Sequence, residues 1–411
     1  MANIFETTQY ILDEVFIRYV NYLNFAKVAN RNLEGDFKGL KYATGQTINY
    51  RLEERFKGGE GATATSEAVV QQIRPLTIDK QFHTMVEFSG FELTFDRARD
   101  EPYLDMMLNP RAKTLANLTE SFIATDNLQL EVYQAVGTPG VPVDFETITL
   151  ADAYMTELGI PEDGNRYFAN SPRVSASLSN ELSTVFNQTV NRGALLDGFI
   201  GHLSGFDFFK TNFLKRQVSG AGDAIPLPVP EAGFKNGGLT TGLISGGNTI
   251  TVATTQPDGV VMFNEGDSIE VENVFMVNPL TYEALPQRAQ FVVTADVVVA
   301  GGLAVIPVNP TIVVSGARQN ISGAIPKDSQ VYLADDHNVS IAFHNQAIVF
   351  AAPAIKELKG GVEAVTSYSD LYKLAMTYTL GADIRNYIQL DRIDVICGVA
   401  INPEFAVRVR S

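Results

Sequence analysis

Residues 56–65 read Phe56-Lys57-Gly58-Gly59-Glu60-Gly61-Ala62-Thr63-Ala64-Thr65. After Phe56 the segment is glycine-rich and almost free of bulky side chains, so it has little to bury in a core. Its flanks differ. Thr47-Ile48-Asn49-Tyr50-Arg51-Leu52 alternates as a half-buried strand does, and Phe82–Phe88 does so in part. Arg51–Lys57 and Val69–Thr77 are suited to pair as a long hairpin carrying Glu53, Glu54, Arg55, Lys57 and Arg74. A polar two-stranded ribbon is marginal in water on its own. It is therefore expected to lie on a partner surface, with a flexible surface loop as the plainer alternative. Glu54, Arg55, Lys57, Gly58, Gly59 and Gly61 are its candidate contact residues. Lys57 is also a candidate donor for a Lys–Asn isopeptide crosslink, with Asn386 or Asn402 as acceptor and an ordinary ion pair as the alternative.

Upstream, residues 3–28 place Phe5, Ile11, Leu12, Val15, Phe16, Tyr19, Val20 and Leu23 mostly three or four apart, which predicts an amphipathic helix. Its stripe is to be buried either on the chain's own core or on a neighbouring molecule; in the second case Phe16 is a contact residue. Downstream, Leu115, Leu118, Phe122, Ile123, Leu130 and Tyr133 predict a long helix over 111–136, stopped by Gly137-Thr138-Pro139-Gly140. A short helix is expected from near Thr149 to Gly159. A strand follows over Arg166–Asn170, then a helix over Val174–Leu182 introduced by Pro172.

The composition changes near residue 217. Between 218 and 334 the basic residues are Lys235, Arg288, Arg318 and Lys327, and acidic residues outnumber them. β-Branched runs dominate, at Thr249–Val252, Ser268–Val271, Phe291–Thr294, Ala304–Val308 and Thr311–Val314, punctuated by Gly and Asn. Many short strands with turn signals predict a small barrel or sandwich. Such a domain is inserted easily mid-chain if its ends lie close together. Beyond it, strands are expected at Val339–Phe343 and the alternating Ala406–Arg410; Ala347–Phe350 is also apolar, and Gly381-Ala382-Asp383 precedes Tyr387–Val399. The fold class is α+β with an all-β insert.

The formal charge is −16, from 31 Lys+Arg against 47 Asp+Glu. Non-specific nucleic-acid binding depends on neutralising phosphates, so a dedicated nucleic-acid reader is disfavoured. A surface that faces packaged nucleic acid without gripping it is compatible. The single cysteine, Cys397, sits in the apolar run Val395–Val399 and reads as a core thiol. Asp335, Asp336, His337 and His344 could suggest a metal, but their spacing is not HExxH, and a polar turn before a strand is the simpler reading. Lys235 precedes Asn236-Gly237-Gly238, the reverse of a phosphate-binding loop, and no GxSxG elbow occurs. No catalytic, cofactor-binding or metal residue is assigned, and the chain is not expected to be an enzyme. The start lacks a signal-peptide pattern and no apolar stretch reaches membrane-spanning length, so synthesis in the cytoplasm is expected, without a membrane partner.

Several segments carry a resemblance. They are Arg166-Tyr167-Phe168-Ala169-Asn170-Ser171, Lys215-Arg216-Gln217-Val218-Ser219-Gly220 and Phe263-Asn264-Glu265-Gly266-Asp267-Ser268-Ile269. Val274-Phe275, Asn278-Pro279, Gln290-Phe291-Val292-Val293-Thr294 and Ile306-Pro307-Val308-Asn309-Pro310 continue the series. With the order arm, glycine-rich hairpin, long helix, β insert and terminal strand, the chain resembles the major coat proteins of tailed double-stranded DNA phages with the HK97-type fold. More narrowly it resembles the P22-like coat proteins, which carry an inserted β-barrel.

The resemblance implies an N-terminal arm at 1–45 and an extended loop at 46–94 lying over a neighbouring subunit. A peripheral domain at 95–165 would hold the spine helix 111–136. An axial domain would come from 166–217 and 335–390, the inserted barrel from 218–334, and 391–411 would return as strands to the peripheral domain. Glu231–Gln256, with Lys235, would be the insert's candidate loop between capsomers. The implied partners are copies of the chain in pentamers and hexamers of an icosahedral shell, a scaffolding protein, a portal, and encapsidated double-stranded DNA faced without sequence-specific binding. The implied location is the virion. A tail tube or sheath subunit is the alternative. A carbohydrate-acting β-rich protein is a further one, weakened by the absence of Trp.

Overall fold

The computed structural model describes residues 4–31, 47–58, 71–89, 101–185, 201–223, 232–358, 360, 362–369 and 373–411. The chain forms two compact units. One comprises Met1–Arg51, Ile73–Ala124 and Ile348–Ala400; the other comprises Leu52–Gln72, Thr125–Ala347 and Ile401–Ser411.

In the first unit the expected arm is a helix, Ile4–Tyr22, followed by one turn, Phe25–Val28. Leu12, Val15, Phe16, Tyr19, Val20 and Leu23 are buried. They pack against the long helix Glu101–Ile123, whose own inward face carries Leu108, Ala112, Leu115, Ala116 and Ile123. The stripe is thus satisfied within its own unit. Phe16, expected as a contact residue in the second case, is 8% exposed in this unit, with its ring stacked near Tyr19. Polar groups fix the register. The Tyr19 and Thr119 hydroxyls lie 3.0 Å apart, and the Glu120 carboxylate accepts the backbone N–H groups of Phe25 at 2.9 Å and Ala26 at 3.0 Å. A side chain of the long helix thereby caps the short one, satisfying donors that a helix start leaves open.

The long helix begins ten residues before the expected 111 and runs through Pro110. Proline is most at home in a first helical turn, which is why the sequence places the start there. Burial of Leu108 beyond it outweighs the lost hydrogen bond. The far end also differs. A π-helical turn, Ala124–Leu128, and a last turn, Gln129–Glu131, give way to an extended segment with the strand Ala135–Val136. The run Val132–Val136 is apolar or buried at each position and fits a strand edge better than a helix with one wet face.

The unit's sheet is built on Ile388–Ile401. Lys80–Ser89 pairs antiparallel along one side of it, Cys397 opposite Lys80 and Ile388 opposite Ser89. Leu374–Asp383 pairs along the other side, followed by Glu363–Ser369, and Ile348–Ala351 joins the same sheet. Arg111 of the long helix reaches this sheet. Its Nη1 and Nη2 donate to the two Asp391 carboxylate oxygens at 2.9 and 2.8 Å, and its Nε donates to Thr84. Cys397 is buried, and burial pushes its thiol well above the ordinary range, as a core cysteine requires.

The second unit holds a six-stranded mixed sheet in the order Ala135–Val136, Ala406–Arg410, Val339–His344, Arg166–Asn170, Phe206–Lys210 and His202–Leu203. Two helices accompany it. Phe145–Glu157 is capped by Asp144, whose carboxylate accepts from the Thr147 N–H, and buries Ile148, Ala151, Tyr154 and Met155 with Phe168, Phe206, Val407 and Val409. Pro172–Val185 adds Val174 and Leu178 to that core.

The same unit contains a closed antiparallel barrel in the order Ser268–Val277, Ala284–Val293, Leu303–Ile312, Gly247–Ala253, Phe234–Thr240 and Gln330–Ala334. The β-branched runs supply its interior by alternation: Ala304, Ile306 and Val308 point in while Leu303 and Val305 point out. Burying an aliphatic side chain of this size contributes about 1.5–3 kcal/mol. Glu231–Gln256, expected as a loop, holds two barrel strands joined by a turn over 241–246. The ends of the insert meet: Gln217 N–H donates to His337 O at 2.9 Å and His337 N–H returns to Gln217 O at 3.2 Å.

Just inside that seam the backbone approaches itself closely. A Cβ on Gly220 would lie 2.2 Å from Met262 O and 2.6 Å from Phe263 Cα. These are backbone atoms and cannot step aside. Gly220→Ala is expected to destabilise the barrel by about 1–3 kcal/mol. Urea unfolding followed by hydrogen exchange of the barrel amides would show it; an unchanged midpoint would contradict the close approach.

Candidate assembly surface

The described part of the glycine-rich loop is its base, 52–58 and 71–72. Leu52 N–H donates to Gln72 O at 3.1 Å, so the two flanks are still paired there. Arg318, on the turn between two segments of the barrel domain, touches both flanks. Its Nη1 donates to Gln72 Oε1 at 2.9 Å and its Nη2 to the Glu53 carbonyl at 2.7 Å. Glu404, just before the terminal strand, accepts from Arg55 at 2.9 Å and lies 3.8 Å from Arg318. Burial lowers the Arg318 pKa from its ordinary value, Glu404 opposes the shift and Arg55 adds to it.

The other expected residues of this ribbon divide. The Lys57 ammonium lies 5.0 Å from the centre of the Tyr282 ring, a cation–π geometry. Glu54 is exposed, and Gly58 has φ +66° with open space where a Cβ would be. That left-handed backbone explains the glycine at 58. Gly59 and Gly61 lie outside the described residues. Of the two asparagines considered for a crosslink, Asn402 caps Glu404 N–H through its side chain and Asn386 donates to Asp383.

Lys235 sits elsewhere in this unit and is not a free loop cation. Its ammonium donates to Ser219 Oγ at 2.7 Å and Gly220 O at 3.3 Å and lies 3.9 Å from Asp335. It staples the chain where it enters the insert to the chain where it leaves. Asp336 accepts from Ser219 N–H and Oγ beside it. His337 Nδ1 lies 2.7 Å from the Asp335 carbonyl, and burial, with Arg408 nearby, lowers its pKa to about 3, so the ring is neutral. His344 pairs with Asp163 instead, at 3.0 Å. Hydrogen bonds from Asn165 and His344 hold the Asp163 carboxyl at about 2. The four residues that hinted at a metal therefore point to separate partners, and among the described residues no group of three His, Cys, Asp or Glu side chains is placed to hold an ion.

The family described as "P22 coat protein - gene protein 5" matches residues 2–408, which includes the antiparallel strands Thr47–Arg51 and Ile73–Thr77 that flank the loop, the barrel and the start of the terminal strand. The chain belongs to that coat protein family. It is a capsid-forming structural protein of a tailed phage. Among solved structures it is similar to one from Mycobacterium phage Che8, with 14% identity, a TM-score of 0.46 and coverage of 94% of this chain and 90% of that one. The capsid of Cyanophage P-SCSP1u matches with 10% identity, a TM-score of 0.42 and coverage of 94% and 88%. The capsid of Ralstonia phage GP4 matches with 9% identity, the same TM-score of 0.42 and coverage of 94% and 88%. No curated protein sequence matches.

A coat protein must offer surface to its copies, and the apolar side chains left uncovered are informative. Phe56 is 59% exposed on the loop base. Leu243, on the turn between two barrel strands, is 70% exposed. Ile384 and Tyr387 are 91% and 78% exposed at the tip of the hairpin that joins Leu374–Asp383 to Ile388–Ile401. The sequence reading missed this tip. Its signal was present as Asp383-Ile384-Arg385-Asn386-Tyr387: Asp383 accepts from Arg385 N–H and Asn386 Nδ2, an Asx-type turn that lifts two apolar residues clear of the sheet. Arg318 and Glu404 were missed for a different reason, since nothing local marks either of them.

Proposed function

We propose that the chain is the major coat protein of its virion, assembling as pentamers and hexamers into an icosahedral shell around double-stranded DNA. The observation that carries this is the closed barrel inserted between the hydrogen-bonded residues Gln217 and His337, in a chain whose length from 2 to 408 matches the P22 coat family. A scaffolding protein and a portal are the expected assembly partners. The net charge of −16 fits an inner surface that faces DNA without holding it. No catalytic step belongs to this reading. Contacts between copies are individually modest and act together through multivalency, so the loop that includes residues 52–72 matters out of proportion to its size.

Replacing residues 57–63 with a short tight turn is expected to leave a folded subunit that no longer forms regular shells. Negative-stain electron microscopy of the chain, alone and with its scaffolding partner, would test this. Regular shells from the replaced chain would remove the loop from the mechanism. Tubes of fixed diameter from the unaltered chain would transfer it to a tail structure.

A further inference from the structure

We propose that Arg318 is the positioning residue of the assembly loop: it clamps both flanks of the loop base onto the chain's own barrel domain, so that each subunit presents its loop from a base fixed in cis. The inference rests on the assembly reading above.

The geometry is specific. One guanidinium donates in two directions, to the Gln72 side chain on one flank and to the Glu53 carbonyl on the other, at the level where Leu52 N–H still pairs with Gln72 O. A planar fork with fixed N–H directions suits this; a lysine ammonium on a flexible stem does not reproduce it. Glu404 lies beside both Arg318 and Arg55 and offsets the charge of each, so two arginines share one region of the surface. Lys57 over the Tyr282 ring adds a third tie farther along the same flank.

Packing cannot do this work. Of the described residues on the ascending flank, Leu52 is buried but Phe56 is 59% exposed. Polar ties therefore carry the position of the base. Partly exposed ion pairs are individually weak, but a charged donor spanning the two flanks sets a direction as well as an energy. The clamp residues come from three distant places in the sequence, so the base is held only once the barrel turn and the segment before the terminal strand are both folded. A subunit with an unfinished barrel has no fixed loop base to offer.

The test uses the full chain. Hydrogen exchange at the Leu52 amide in free subunits is expected to quicken about tenfold in Arg318→Ala and by a similar factor in Arg318→Lys, with barrel amides unchanged. Lys327→Ala, an exposed cation of the same domain, is the control and should change nothing. Unaltered exchange at Leu52 in Arg318→Ala would overturn the clamp. For the cis arrangement, Glu53→Cys with Gln319→Cys leaves Arg318 in place, since Glu53 contributes its backbone oxygen, and buried Cys397 stays unreactive. A short bismaleimide applied to free subunits and to assembled material should give crosslinked monomers on a denaturing gel. A ladder of multimers would show that the contact is made between copies and would sink the proposal. Shell yield is read separately. If the unaltered chain forms no shells, the assembly reading fails while the exchange and crosslinking results still decide the clamp.

Discussion

Asp391→Ala is expected to cost about 3–5 kcal/mol and to loosen the long helix Glu101–Ile123 from its sheet. Arg111 is 6% exposed and Asp391 7%, and their contact is a two-pronged guanidinium–carboxylate pair. Removing the carboxylate leaves a buried cation without its counter-charge. Thr84 can offer it a hydroxyl and a carbonyl but no charge. Exchange of the helix amides should accelerate well before the barrel amides respond, because the pair lies wholly in the first unit. The double variant Arg111→Met with Asp391→Leu should recover most of the loss, as apolar replacements of buried ion pairs commonly do. A single variant that unfolds like the unaltered protein would mean that water reaches the guanidinium.

The second large effect concerns pH. Glu120 accepts backbone N–H groups at the start of the Phe25–Val28 turn, but burial outweighs those donors and raises its pKa from 4.5 to about 7. Lys27, which faces it from the short helix, pulls the other way and only partly offsets the burial. A carboxyl whose folded pKa is raised favours the fold when protonated. Its contribution is complete below about pH 4.5 and is lost as pH rises to about 7. At 1.36 kcal/mol for each pH unit this amounts to about 3 kcal/mol. The docked arm is therefore expected to be tighter at pH 5 than at pH 8, read as protection of amides in Ile4–Tyr22. Glu120→Gln should flatten that dependence while other titrating groups remain as they were. A pH profile identical in the two proteins would show that Glu120 keeps an ordinary pKa.

Much of the fold is written in local pattern. Arg166–Asn170 and Ala406–Arg410 are strands with the expected bounds, and Val339–His344 is a strand one residue longer than expected. The barrel announces itself through β-branched runs separated by turn residues. The misreadings fall where long-range packing overrides a local rule. Pro110 marks a helix start by propensity, yet the buried Leu108 carries the helix past it. The alternation in Ala406–Arg410 suggests one wet face, but Arg408 is fully buried and Arg410 nearly so, their guanidinium groups spent on backbone and carboxylate partners.

The site was legible in part. Composition alone marks the glycine-rich loop as a segment without a core of its own, and within the subunit Arg55 pairs with Glu404 while Lys57 lies over the Tyr282 ring. Their partners are remote in sequence, Glu404 for Arg55 and Tyr282 for Lys57, as is Arg318, which holds Glu53 and Gln72. Lys235 has partners that no local window shows. Its charge drew notice in an uncharged stretch, but its partners Ser219, Gly220 and Asp335 make it a fastener of the insert.

The seam at Gln217 and His337 has an evolutionary reading. A module whose two ends are already hydrogen-bonded to each other can be gained or exchanged by recombination without stretching the host chain. Loss is less symmetrical. The barrel supplies Gly266 O to Arg408, Glu270 to Arg410, and the Gln290 amide to the edge strand at Ala135. A lineage that deleted the module would leave Arg408 and Arg410 without these partners and the Ala135 strand edge bare. Removing the module therefore costs the host more than inserting it stretches it, because the terminal strand has come to lean on the barrel at 408 and 410.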